Sequence, residues 1–161
     1  MLKASLFGLL VAVLLATAGF SQSDPSPATP QKPYRERLLD RARAGDVDAE
    51  FELGKGYETG RLGLPKDVGQ AQLWYRKAAA QDDPFAEASL GILFQFGKGV
   101  PRDPVQAYMW YERAISHATP GDRQPIVELR DRVAQQLTPQ QIAEARRLAH
   151  ESKPTADAEK H

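Results

Sequence analysis

Cysteine is absent from the 161-residue chain. No disulfide framework, thiolate metal site, cysteine nucleophile or lipid-bearing amino-terminal cysteine can therefore form, and the fold must be held by packing alone. Net charge is absent as well: 21 basic residues balance 21 acidic ones. With no long run of one sign, neither a nucleic-acid footprint nor a polybasic membrane patch is expected. Histidine is scarce. His117, His150 and His161 are the three present; they are scattered, without an H-E-x-x-H motif or a second ligand at helical spacing, so no metal site is expected. No S-x-x-K, G-x-S-x-G or supported Ser/His/Asp grouping is present. Gly97-Lys98-Gly99 lacks the spacing, the following hydroxyl residue and the preceding strand of a phosphate loop. Catalytic residues: none are expected, nor is a cofactor, and the chain does not read as an enzyme.

A hydrophobic fraction of 42% suffices for one packed core, while 12 prolines and 12 glycines cluster where loops should lie. Residues 1–18 read as a signal peptide: Lys3, the apolar stretch Leu6 to Leu15, then Ala16-Thr17-Ala18 as a small-residue cleavage site. The alternative is an uncleaved anchor, for which the 17 mostly apolar residues Ala4 to Phe20 are marginal against the ~20 that span a bilayer. Residues 19–33 contain Pro25, Pro27, Pro30 and Pro33 among serines and read as an extended linker. A signal of this form, with no retention tetrapeptide at the carboxyl end, makes a bacterial periplasmic or secreted location the expectation.

Residues 34–151 are organised by an internal repeat. At a shift of about 36 residues, Ala49-x-x-x-Leu53-Gly54-x-x-Tyr57-x-x-Gly60 recurs as Ala86-x-x-x-Leu90-Gly91-x-x-Phe94-x-x-Gly97. Leu64-Pro65-Lys66-Asp67 recurs as Val100-Pro101-Arg102-Asp103, and Trp74-Tyr75-Arg76-Lys77-Ala78 as Trp110-Tyr111-Glu112-Arg113-Ala114. The loop after Gly60 is one residue longer than that after Gly97. Each copy, 49–81 and 86–117, reads as two helices with one apolar stripe apiece. Gly54 and Gly91 lie inside helices, where glycine costs about 1 kcal/mol relative to alanine, so their recurrence predicts close helix contact. Gly60 and Gly97 read as left-handed caps, Pro65 and Pro101 as loop residues, and Asp67 and Asp103 as N-caps. Asp46, Asp48, Asp82 and Asp83 stand at helix boundaries and read as capping carboxylates rather than general acids or bases.

Before the copies, Arg35 to Ala44, with Leu38, Leu39, Ala42 and Ala44, reads as the second helix of a degenerate unit covering the first hairpin. After them, Thr119-Pro120-Gly121 should break the chain before a helix bearing Ile126, Leu129, Val133 and Leu137. Thr138-Pro139-Gln140-Gln141 is a capping box opening a last helix, so 121–151 forms a closing cap and 152–161 a solvated tail.

The pattern A-x-x-x-L-G-x-x-Y-x-x-G, a Gly-rich loop, then D-x-x-x-A-x-x-W-Y-x-K-A resembles the Sel-one-like repeat family, relatives of the tetratricopeptide repeats. The resemblance covers Ala49 to Ala114. It implies an all-α, tetratricopeptide-like solenoid of about three helix hairpins with a helical C-terminal cap, acting as an adaptor or scaffold for a protein or peptide partner in the periplasm. A cysteine-rich branch of the family is associated with binding or hydrolysing penicillin-like compounds, and the lack of cysteine places this chain outside it. An envelope hydrolase or β-lactam binder, and a membrane-anchored subunit of an envelope complex, are the alternative readings.

In such arrays the first helix of each hairpin lines the concave side. That rule assigns Phe51, Lys55 and Glu58 of the first copy to a partner-binding groove, with Phe85, Ala88, Ile92 and Phe96 of the second. Phe96 is the sharpest pointer, because its counterpart is Thr59. The alternative is that Phe85, Ile92 and Phe96 pack on the neighbouring hairpin. Trp74-Tyr75 and Trp110-Tyr111 could form a stacking platform, but their identical place in both copies favours inter-helix core.

Overall fold

The computed structural model describes residues 32–151. The expected signal peptide, the linker as far as Gln31 and the tail 152–161 lie outside the described residues. Within them are seven helices and no strand: α1 Tyr34–Arg43, α2 Val47–Thr59, α3 Val68–Ala79, α4 Pro84–Phe96, α5 Pro104–His117, α6 Pro120–Ala134 and α7 Pro139–Glu151. The pairs α2/α3 and α4/α5 form two hairpins, joined where α3 packs on α4; α1 packs on α2, and both α6 and α7 pack on α5. This is the expected all-α repeat array, with α1 as the leading half-unit. Among the described residues no helix is long and apolar enough to cross a membrane.

Local chemistry sets the helix ends. Asp46, Asp67, Asp83 and Asp103 each accept from the backbone N–H three residues on, at 3.0, 3.0, 2.6 and 3.0 Å, and an N-cap of this kind stabilises a helix by about 1 kcal/mol. Thr138 and Gln141 form the reciprocal capping box: the Thr138 N–H donates to Gln141 Oε1 at 2.9 Å, and the Gln141 N–H to Thr138 Oγ1 at 3.2 Å. Gly60 and Gly97 close α2 and α4 at φ +73° and +65°, a left-handed backbone that glycine adopts without a Cβ clash.

The hairpins close on a ring over a bare backbone. A Cβ placed on Gly54 would lie 2.5 Å from the Tyr75 ring, and one on Gly91 would lie 2.5 Å from the Tyr111 ring. Both tyrosines are wholly buried. Their hydroxyls find acceptors at the far ends of α2 and α4: Tyr75 donates to Glu58 Oε2 at 2.8 Å and Tyr111 to Gln95 Oε1 at 2.6 Å. Burial holds both phenols above their ordinary pKa, with the Glu58 carboxylate adding to the effect at Tyr75, so each remains a donor. Trp110 is buried beside Tyr111, whereas its counterpart Trp74 is half-buried, with Lys77 Nζ 4.1 Å from its ring centroid. The Trp-Tyr pairs therefore serve the interior in both copies, Trp74 least completely because it packs on the small N-terminal cluster around Leu38, Leu53 and Leu64.

Three expectations are corrected. Ala44 is exposed, since it is the C-cap of α1 and the chain turns away at Gly45, φ +85°. The break before α6 is shorter than expected: Pro120 and Gly121 belong to its first turn, where a residue lacking an N–H leaves no intrahelical bond unmade. Leu137 lies beyond α6, half-buried in the turn to α7.

Gly54→Ala and Gly91→Ala are expected to destabilise the fold by about 2 kcal/mol each, because overpacking at the buried ring outweighs the helix-propensity gain of about 1 kcal/mol. Urea denaturation of the two variants checks this.

Candidate binding face

Side chains of the two hairpins approach one another at either end of their first helices. At their N-terminal ends Phe51 of α2 and Phe85 of α4 approach to 6.1 Å between ring centroids, and Phe51 also leans on Tyr75 at 5.8 Å. From Phe85 the face continues down α4 through Ser89, Ile92 and Phe96, spaced at four, three and four residues. At the C-terminal ends Lys98 Nζ lies 5.9 Å from the Phe96 ring and 3.7 Å from Glu58 Oε1, which returns the face to α2. Lys55, one turn before Glu58, places its ammonium 5.4 Å from the Phe51 ring.

The groove residues named from sequence thus lie along α2 and α4 in different states. Phe96, at 60%, is the most exposed large hydrophobic side chain among the described residues, and Phe85, at 47%, stands level with Tyr34 of α1 at 48%. Lys55 is exposed, and Phe51, Glu58 and Ile92 are half-buried. Phe51 and Ile92 also pack against the main core. Ala88 is buried and offers nothing to a partner. Packing on a neighbouring hairpin therefore accounts for Ile92 and for one side of Phe85, but not for Phe96.

Beside Lys55, on the flank of α2, lies a cleft of about 180 Å³ lined by Glu52, Lys55, Gly56, Thr59, Arg61 and Leu62. Leu62 is held at φ +62° within the longer of the two hairpin loops. Glu52, the carboxylate in this lining, accepts the Tyr34 hydroxyl at 2.5 Å. No motif announces this cleft, because Arg61 and Leu62, which close it against α2, lie in an irregular loop.

A second polar constellation joins the hairpin ends to the cap. Glu87, wholly buried, accepts from Arg113 Nε at 2.9 Å and lies 2.8 Å from His117 Nδ1. Arg113 also reaches Asp82 at 3.5 Å and donates to the Ala149 carbonyl of α7 at 3.3 Å. His117 has no second ligand at helical spacing in sequence, but the fold brings Asp82, Glu87 and His117 together, with ligand atoms within 4.8 Å of one another. The guanidinium of Arg113, bonded to both carboxylates, already supplies positive charge there. Asp82 is also not a cap. It sits at φ +63°, in the place that Gly45 fills before the preceding cap, and turns its carboxylate to Arg113. The first copy builds a neutral version, with Gln81 Nε2 donating to buried Glu50 at 2.8 Å and to the Gly45 carbonyl at 3.1 Å. The recurrence of Glu50 as Glu87, acidic residues next to the alanines of an apolar stripe, was the available sequence signal.

A Sel1 repeat model matches residues 47–83 and 84–118. No curated protein matches the chain. Among solved structures, the chain is similar to a protective antigen present in uropathogenic Escherichia coli strains that displays an SLR fold, with a TM-score of 0.64 and 35% identity over 71% of this chain. The chain spans 24% of that antigen's length. It is also similar to a Sel1 repeat protein from Oxalobacter formigenes, with a TM-score of 0.50 and 29% identity over 70% of this chain and 97% of the other.

Two outcomes are expected of these polar clusters, one at exposed Asp82 and one at buried Glu50. Asp82→Gly should be more stable than Asp82→Ala by about 1 kcal/mol, since both lose the carboxylate and only alanine keeps a Cβ in the left-handed backbone; paired urea titrations measure the difference. Burial raises the Glu50 carboxyl above its ordinary 4.5. Its contribution to stability is thus present below pH 4.5 and lost as pH rises through the higher folded value. Glu50→Gln keeps an acceptor for Gln81 and should remove that loss, so the variant gains on the wild type between pH 4.5 and 7 in a series of thermal melts.

Proposed function

The chain is a Sel1 repeat protein, and we propose that it works as an exported scaffold that holds a protein or peptide partner on the face shared by α2 and α4. Sel1 repeats generally mediate protein interactions, and the array has the helical scaffold fold of that family. The observation that carries the reading is the pair of exposed phenyl rings on α4, Phe85 and Phe96. Exposed large apolar side chains on a helical-repeat face are the kind of surface that interaction sites use, and aromatic side chains dominate binding energy where a partner desolvates them. The apolar amino-terminal stretch and its Ala16-Thr17-Ala18 site support export with cleavage after Ala18 and residence in the periplasm. The scaffold itself performs no catalysis in this reading.

The test is an affinity capture from envelope extract using protein recovered from the periplasm, its intact mass checked for a start at Gly19, with wild type compared against Phe85→Ala and Phe96→Ala. One protein enriched by wild type and reduced at least about tenfold by Phe96→Ala is expected, the loss that corresponds to ~1.4 kcal/mol. Enrichment unchanged by both substitutions would move the contact to another face. A mass retaining residues 1–18 would replace the cleaved periplasmic form with an anchored one.

A further inference from the structure

We propose that the partner segment is an acidic, apolar peptide: one carboxylate enters the cleft between Lys55 and Arg61, and neighbouring aliphatic or aromatic side chains lie on Phe51, Phe85 and Phe96. This rests on the binding face proposed above and adds the chemistry of what it binds.

The charge pattern is the first argument. Lys98, at one end of the face, is answered by Glu58 at 3.7 Å. Lys55 and Arg61 are both exposed and have no carboxylate within ion-pair distance among the described residues. Glu52, the acidic group in the same lining, is engaged by the Tyr34 hydroxyl. Two cations therefore face one carboxylate that is already hydrogen-bonded. An apolar partner pressed over this spot would strip water from uncompensated cations, and a basic partner would add repulsion. A carboxylate answers both, and Arg61 can bind it through two parallel N–H groups.

Size is the second argument. A cleft of about 180 Å³ lies below the roughly 300–1,000 Å³ of sites that enclose a whole small molecule, but it suits one side chain or a chain terminus. The rest of the binding surface must come from alongside, and Lys55 is the link: it lines the cleft while its ammonium stands over Phe51, which touches Phe85. A peptide reaches both parts. Nucleic acid is a poor fit, because the chain as a whole carries no net charge and two cations cannot track a phosphate backbone.

The experiment is to pan random dodecapeptides displayed on phage against the full chain, then to measure the Kd of the most enriched peptide, made synthetically, for wild type, Lys55→Glu, Arg61→Glu and Phe96→Ala. The substituted side chains are exposed, and far-UV circular dichroism confirms the fold of each variant. Enriched peptides should place Asp or Glu within a few residues of Leu, Ile, Phe or Trp. Their Kd should rise about tenfold or more with either charge reversal and weaken as salt increases. Peptides no more acidic than the starting library, a Kd unmoved by both charge reversals, or no enrichment over bare support would overturn the inference. If acidity proves irrelevant while Phe96→Ala still abolishes binding, the face stands and its charge preference falls. If binding ignores Phe96→Ala but follows Lys55 and Arg61, the aromatic face is the part that fails.

Discussion

Each hairpin depends on one approach, a tyrosine ring laid on the backbone of the facing helix where glycine omits a side chain. At 2.5 Å from where a Cβ would stand, the Tyr75 and Tyr111 rings leave no room for any other residue at Gly54 and Gly91. This contact sets how near the paired helices lie, and hence how the next hairpin stacks. It also commits the phenol oxygens to the far ends of α2 and α4, where Glu58 and Gln95 receive them. Glu58 belongs at the same time to the α2/α4 face and meets Lys98. A packing contact in the interior thereby positions a charge on the surface proposed for binding.

The two copies share this plan and differ at their edges, where their individual properties arise. Beside its buried glutamate the first copy uses a neutral amide, whereas the second uses a guanidinium, an imidazole and a strained aspartate. The charged version stands next to the cap and extends into it through the Ala149 carbonyl. A left-handed aspartate costs about 1 kcal/mol or more relative to glycine, and its placement opposite Arg113 gives that conformation an electrostatic offset. On α4, Phe96 in place of Thr59 converts a polar helix end into an apolar one without disturbing the shared interior.

The fold was largely legible in the sequence because its determinants are local or periodic. Four aspartate caps, a threonine-glutamine capping box and two left-handed glycines occur at fixed offsets from apolar stripes, and duplication let each copy check the other. The misreadings were of boundary residues: Ala44 and Leu137 fit the helical period but lie just past helix ends, Pro120 can begin a helix as readily as precede one, and Asp82 turns its carboxylate to Arg113 instead of capping a helix. The site was less legible. Phe96 stood out because a counterpart existed for comparison. The cleft at Lys55 did not, because it depends on Arg61 and Leu62 in an irregular loop. The Asp82–Glu87–Arg113–His117 group draws on one turn and two helices, and its spacing in sequence has no regular period.

The cap has a consequence for assembly. Both α6 and α7 rest on α5, the helix against which a further hairpin would stack, while α1 occupies the corresponding place on α2. Among the described residues, the faces of α2 and α5 on which another repeat could stack head to tail are therefore already covered. A further repeat could reach α2 or α5 only by displacing a helix of this same chain.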